Sequence, residues 1–310
     1  MEFVHYSVLQ KEVLSLLVPP DRQALMIDCT LGEGGHSKLF LETYPLLNVI
    51  GLDRDSEIIE KAKRRLAPFG DRFQAINIWF DEFFSTYDGP RPDLVLFDLG
   101  ISVFHYEESG RGFSFRKSEE LDMRLDKTAP MRVEDIVNGY QEDRLADVIY
   151  QFGEERYSRR IAAAICSYSK SKRITRSDEL AEIIYKAVPP AYRYGRIHPA
   201  TKTFQALRIE VNRELDRIEP ALRKAIDLTN PGGRIGVVSF HSLEDRKVKW
   251  LFKRAAEGSV PQPGEAQRTD DGKPKVRILT KKPVVPTTEE CGLNPPSRSA
   301  KLRVVEKLED

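Results

Sequence analysis

The sequence predicts an α/β fold, a doubly wound and mostly parallel sheet interrupted by an all-α helical domain. Three observations carry that expectation. Short apolar runs ending in an acid recur, ALMID closing on Asp28, NVIGLD on Asp53 and LVLFD on Asp98, as buried parallel strands do. The first is followed by a glycine turn and a stretch that reads as a helix. A Pro-Gly-Gly lead-in to a further apolar strand arrives only at Pro231, 133 positions after Asp98, where one crossover helix needs roughly 40–60 residues.

The elements follow in chain order. ALMID reads as a buried strand, and Gly32, Gly34 and Gly35 come directly after it. HSKLFLETYP reads as a helix, with Leu39, Phe40 and Tyr44 on one side and Pro45 at its stop. NVIGLDRD is the second strand, RFQAINIWF the third and PDLVLFDLGIS the fourth. VEDIVNGY, EDRLADVIYQFG, SRRIAAAICSYS and SDELAEIIYKAV then show apolar residues three and four apart, so the insert is expected to be helical, with Ser177 as an N-cap. The sheet resumes at LTNPGGRIGVVSF and continues through a helix, SLEDRKVKWLFKRAA, to a last strand, KLRVVEKL. The expected boundaries are 1–102 for the first part of the sheet domain, 103–205 for the insert and 206–310 for the second part.

Bulk properties exclude several classes. With 40% apolar and 31% charged residues and a net charge of +1, the chain is an ordinary globular protein without global basic character. Its three cysteines, Cys29, Cys166 and Cys291, are far apart and lack metal or redox spacing. Reduced thiols in a cytosol are expected. MEFVHYSVLQ lacks the features of a secretion signal, and no apolar run approaches the ~18 residues of a membrane span. A cytoplasmic protein with no membrane partner is the expectation. The histidines, His5, His36, His105, His198 and His241, show no paired ligand spacing, so no metal is expected.

Strand, glycine turn and helix form the opening of a nucleotide-binding unit. Glycines let main chain approach a ligand closely, and the helix start offers free N–H groups. Asp53, 21 residues after Gly32, stands where it can bond both ribose hydroxyls. The spacing is not G-x-G-x-x-G, Glu33 would repel a pyrophosphate, and no G-K-[ST] follows. A phosphate-free adenosine fits better, and S-adenosylmethionine is such a ligand. The expected sheet is thus a Rossmann-like class I S-adenosylmethionine-dependent methyltransferase sheet. Phe80 offers a cover for adenine or a core aromatic. Ligands of such sheets sit at the carboxyl ends of strands, so Asp28, Asp53 and Asp98 should share one rim.

Charge is segregated within the insert. From Arg156 to Arg176 there are seven Lys or Arg and no Asp or Glu, with tyrosines interleaved. Such a cluster reads as a nucleic-acid footprint with stacking rings, or as a solvated helix face.

These residues carry a resemblance. HYSVLQKEV, DCTLGEGGHS, GLDRD, DLGIS, RGFSFRKSEELDMRLD, GEERYSRRIA, HPATKTFQALRIEVNREL, NPGGRIGVVSFHSLEDRKVK and NPPSRSAKLRV make the chain similar, over nearly its whole length, to the RsmH (MraW) family. Those bacterial enzymes methylate N4 of a cytosine in 16S ribosomal RNA of the small subunit. The resemblance implies cofactor contacts at Gly34, Gly35, His36, Asp53, Phe80 and Asp98. The family also places a glutamine seven residues beyond that last aspartate, where this chain has His105 within Ser102-Val103-Phe104-His105-Tyr106-Glu107.

Methyl transfer from a sulfonium to an amine is an in-line displacement, governed mostly by positioning. A cytosine amine is a poor nucleophile, and a carboxylate accepting its N–H would favour the developing tetrahedral nitrogen. Asp98 is the candidate catalytic residue, with a pure cofactor contact as the other reading. Arg111, Arg124, Arg156, Lys202, Arg208 and Arg298 are the expected RNA phosphate contacts, each with a structural ion pair as its alternative. Two other functions stay open at this point: a methyltransferase on another nucleic acid, and an RNA-binding ribosome-assembly factor with a weakened cofactor site. A homodimer is compatible with the sequence, which fixes no oligomeric state.

Overall fold

The computed structural model describes residues 7–258 and 272–309; His5 lies outside them. The chain divides into a sheet unit, residues 1–101 with 215–310, and a helical unit, residues 102–214. The return at 206 expected from the sequence falls inside a helix, Ala200–Asn212, which belongs wholly to the helical unit. The HPATKTFQALRI run is amphipathic and buries Phe204, Leu207 and Ile209, so no break occurs there.

In the sheet unit, α1 (Gln10–Leu16) precedes β1 (Ala24–Asp28), α2 (Gly35–Thr43), β2 (Leu47–Asp53), α3 (Ser56–Leu66), β3 (Phe73–Asn77), α4 (Phe80–Thr86) and β4 (Leu94–Asp98). The helical unit holds α5 (Val103–Glu107), α6 (Val133–Gly139), α7 (Glu142–Gly153), α8 (Ser158–Ser169), α9 (Ser177–Ala187), α10 (Pro190–Arg193) and α11 (Ala200–Asn212). Then come α12 (Glu214–Leu228), β5 (Arg234–Ser239), α13 (Ser242–Glu257), β6 (Val276–Ile278), α14 (Thr288–Leu293) and β7 (Lys301–Lys307). Among the described residues, no helix is long and apolar enough to cross a membrane.

The strands form one sheet in the order β3-β2-β1-β4-β5-β7-β6. The first five run parallel, and β7 is antiparallel to both β5 and β6. Order reverses between β1 and β4, the switch point where Rossmann-like sheets bind ligands. Alternate side chains feed two cores, one on each face. Met26, Val49, Leu94 and Leu96 pack with Phe40, Leu41, Ala62 and Leu66 of α2 and α3. Ile27, Leu52, Val95 and Phe97 pack with Phe83, Ile218, Leu222 and Phe252 of α4, α12 and α13.

The helical unit has its own core. Val133, Ile136, Leu145, Ile149, Ile161, Ile165, Leu180 and Ile184 are buried at the three- and four-residue spacing that announced these helices. Ser177 is the first residue of α9 rather than its cap. Its hydroxyl accepts from Glu119 N at 3.1 Å and donates to Lys117 O at 2.9 Å. It thus anchors the preceding loop, a long-range task that outweighs local capping.

Candidate active site

The rim is built at the carboxyl ends of β1, β2 and β4. After β1 the chain turns through Gly34, whose φ of +79° is a left-handed conformation open to glycine. A Cβ there would lie 2.7 Å from Leu66 Cδ1. One on Gly35 would lie 2.1 Å from Ser7 Oγ. Glycine at these two positions therefore lets the turn pack closely against Leu66 and Ser7 at the start of α2.

Asp53 is held by main-chain donors. Gly32 N–H donates to its Oδ2 and Asp55 N–H to its Oδ1, each at 2.9 Å. The carboxylate is thereby fixed in orientation beside the glycine turn.

Asp28 is 1% exposed and accepts from Ser37 Oγ at 2.6 Å and from Thr30 N at 3.3 Å. Burial outweighs these bonds and the nearby His36, and lifts its pKa to about 6. His36, on the first turn of α2, is also buried, with Nε2 3.5 Å from Asp98 Oδ2. Burial opposes protonation of the imidazole, but Asp98, Asp28 and Glu290 together raise its pKa. The Asp98 amide donates to Thr30 Oγ1 at 2.6 Å, locking the end of β4 to the glycine turn.

Both ring nitrogens of His36 and Oδ1 of Asp98 are buried without a hydrogen-bond partner. Orphaned buried polar atoms are costly, and here three of them lie on two residues beside the glycine turn. Glu33, at the same turn, is 3.7 Å from Lys61 Nζ and adds a negative charge. Such a donor set suits an adenosyl group carrying a cationic sulfonium better than a pyrophosphate.

Phe80 is positioned differently. It starts α4, is 8% exposed and packs edge-on against Phe97 at 5.5 Å, as a core aromatic does. Trp79 lies under the Arg217 guanidinium, 4.0 Å from ring to charge. His105 belongs to α5 in the helical unit, buried with Phe104 and Phe113 rings 5.5 and 5.2 Å away.

The six basic candidates separate by environment. Arg111 is buried and donates to Arg124 O at 2.7 Å. Arg124 is buried and forks onto Asp122 at 2.6 and 2.9 Å. Arg208 forks onto Glu214 through two 2.9 Å bonds, with about a tenth of each side chain exposed. These three are occupied within the helical unit. Lys202 donates to Glu154 O at 2.9 Å. Arg156 is exposed and lies over Tyr157 and Tyr192, 4.9 and 5.0 Å from their centroids. Arg298, in a turn before β7, is exposed.

Sequence reasoning missed Glu155. It is fully buried, accepts from Tyr192 Oη at 2.6 Å and from Tyr157 N at 2.9 Å, and so fixes the ring that Arg156 covers. Burial and this bond push the Tyr192 hydroxyl up to about 12. The only signal was an acid pair, Glu154 and Glu155, directly before the basic stretch. Thr30 and Ser37, which flank the glycines and pin Asp98 and Asp28, were missed as well.

Comparison with known proteins identifies the relatives of the chain. Ribosomal RNA small subunit methyltransferase H of Treponema denticola is 51% identical over 311 residues, covering 100% of this chain and 99% of its own. The protein of that name from Persephonella marina is 47% identical over 307 residues, covering 98% and 99%. Among solved structures, an rRNA methylase from Streptococcus thermophilus overlays with a TM-score of 0.42 at 11% identity, covering 97% of this chain and 94% of its own. The fold assignment stands on the strand order. The MraW methylase profile matches residues 2–308, and the chain belongs to the MraW methylase family.

Proposed function

We propose that this protein transfers a methyl group from S-adenosylmethionine to N4 of a cytosine in 16S ribosomal RNA of the small subunit, in the cytoplasm. The convergence of Asp53, the Gly34–Gly35 turn, His36 and Asp98 on one rim carries the reading. It is joined by relatives whose names state small-subunit rRNA methylation. Relatives that carry the methyltransferase name match over the full length of the chain, so a weakened cofactor site is not the favoured reading.

S-adenosylmethionine supplies an activated methyl on a sulfonium. Asp53 would hold its ribose, and the glycine turn would admit its adenosyl body. Asp98 would accept the N–H of the cytosine amine and orient the nitrogen lone pair for in-line attack. His36, whose Nε2 lies 3.5 Å from that carboxylate, would help to hold it in place.

Calorimetry with S-adenosylmethionine tests the rim. Asp53→Ala should weaken binding by about 100-fold, the loss of charge-assisted hydrogen bonds to two hydroxyls. Mass mapping of methylated cytosines in RNA from cells with and without the gene tests the product. Unchanged affinity in Asp53→Ala, or heat with a pyrophosphate coenzyme instead, overturns the reading.

A further inference from the structure

The cations of the helical unit are largely consumed within it. Lys172 pairs with Glu179 at 2.6 Å, Arg173 with Glu134 at 2.6 Å, and Arg176 with Ser118. A second concentration of cations occurs on α13. From Arg246 to Arg254 it carries five Lys or Arg and no acid. Its two first-turn acids point inward. Glu244 accepts from Phe240 N at 2.8 Å and is 2% exposed. Asp245 takes a forked bond from Arg303 at 2.7 and 3.2 Å.

Val248, Leu251 and Phe252 form the buried stripe of α13. That geometry turns Arg246, Lys249, Trp250 and Lys253 to solvent. Lys253 has an acid at 3.7 Å, Glu257, at the far end of the helix. Helix stability does not account for this pattern, because cations in the N-terminal half oppose the macrodipole. Trp250 is 41% exposed, with the Arg254 guanidinium 4.4 Å from its centroid. An exposed indole flanked by cations is the stacking and phosphate-binding combination used on nucleic acid.

Position strengthens the case. Val238 of β5 is in register with Asp98, and α13 begins four residues later, so the helix leaves from the rim that holds the proposed chemistry. Arg246 to Lys253 spans about 10 Å along its axis.

We infer that the solvent face of α13 is a binding surface for the ribose-phosphate backbone of the substrate RNA, contacted through the exposed Lys249, Lys253 and Trp250 and the half-buried Lys247 at its edge. This rests on the functional reading above and adds a contact region to it.

The test uses the full chain and unmethylated small ribosomal subunits. The triple substitution Lys247→Gln, Lys249→Gln, Lys253→Gln should lower the slope of log affinity against log salt by about 2. Affinity at moderate salt should fall at least about fivefold. The thermal midpoint and the heat of S-adenosylmethionine binding should stay at the unsubstituted values. Subunit binding should quench the Trp250 emission, and the quench should vanish in Trp250→Phe, because Trp79, the other of the chain's two tryptophans, is buried. An unchanged slope with no Trp250 response overturns the inference. So does Trp250 quenching by phosphatidylglycerol vesicles but not by subunits, which would make the face a membrane surface. If the unsubstituted protein binds subunits through α13 but methylates no cytosine, the functional reading falls and the surface stands.

Discussion

At the strand ends of the sheet unit, Asp53 is fixed by the main-chain N–H groups of Gly32 and Asp55. In the helical unit, Arg208 is fixed by another side chain, Glu214. The contrast runs through both units. Charges on the rim are oriented by main chain and small hydroxyls. Charges at Arg111, Arg124 and Arg208 are turned into the unit and hold it together. A charge held by main chain keeps capacity for a partner, whereas a buried charge held by an opposite charge has little left to offer.

The largest expected effect breaks the pair in the helical unit. Arg208→Gln should destabilise that unit by about 3–5 kcal/mol, since Glu214 would be left largely buried and unpaired. Urea unfolding followed by circular dichroism measures it. A loss below about 1 kcal/mol, with RNA binding selectively impaired, would show that Arg208 serves RNA and would erase the contrast.

A smaller effect sharpens the description of the rim. Burial holds the folded-state pKa of Asp28 at about 6, above the ordinary aspartate value of about 3.9. The folded protein therefore binds more protons than the unfolded chain between those values. Stability from this group should rise as pH falls from about 7 toward 4 and level off below that. His36, also raised, adds in the same direction, with its contribution lost as pH climbs through its folded value. Asp28→Asn should abolish most of the Asp28 slope and stabilise the protein by about 2–3 kcal/mol at pH 8. Denaturant midpoints across pH measure this, and an unchanged slope would show that Asp28 is ionised throughout.

The smallest effect concerns exposed cations of the expected basic run. Arg159→Gln with Arg160→Gln should change stability by less than about 0.5 kcal/mol. Neutralising these exposed side chains leaves the apolar stripe of α8 intact. A thermal shift larger than that of Arg208→Gln would reverse the comparison drawn here.

The same contrast explains what was legible in the sequence. β1, β2 and β4 could be read because buried parallel strands are continuous apolar runs, and strand order then places Asp28, Asp53 and Asp98 together without knowledge of any side-chain partner. The helices α6 to α9 were legible through their apolar period. The end of the insert was not, because α11 continues the same amphipathic pattern past residue 205. β6 has only three residues, Val276–Ile278, too few for a period. Phe80 read equally as ligand cover or core, and only its packing against Phe97 places it inside. The destinations of Arg111, Arg124 and Arg208 depend on acids and carbonyls brought near by folding. The outward face of α13 became visible only once Glu244 and Asp245 were seen to turn inward.

Leu94 of β4 lies beside Arg234 of β5, 140 positions further along the chain. Bringing those segments together through a disordered connection would be slow, because loop closure must precede any reward from pairing. Residues 102–214 have a core of their own, and folding them first shortens the effective tether between the two strands. The insert is then expected to act as an internal clamp during biogenesis. Weakening it should delay completion of the sheet even when the finished sheet is no less stable.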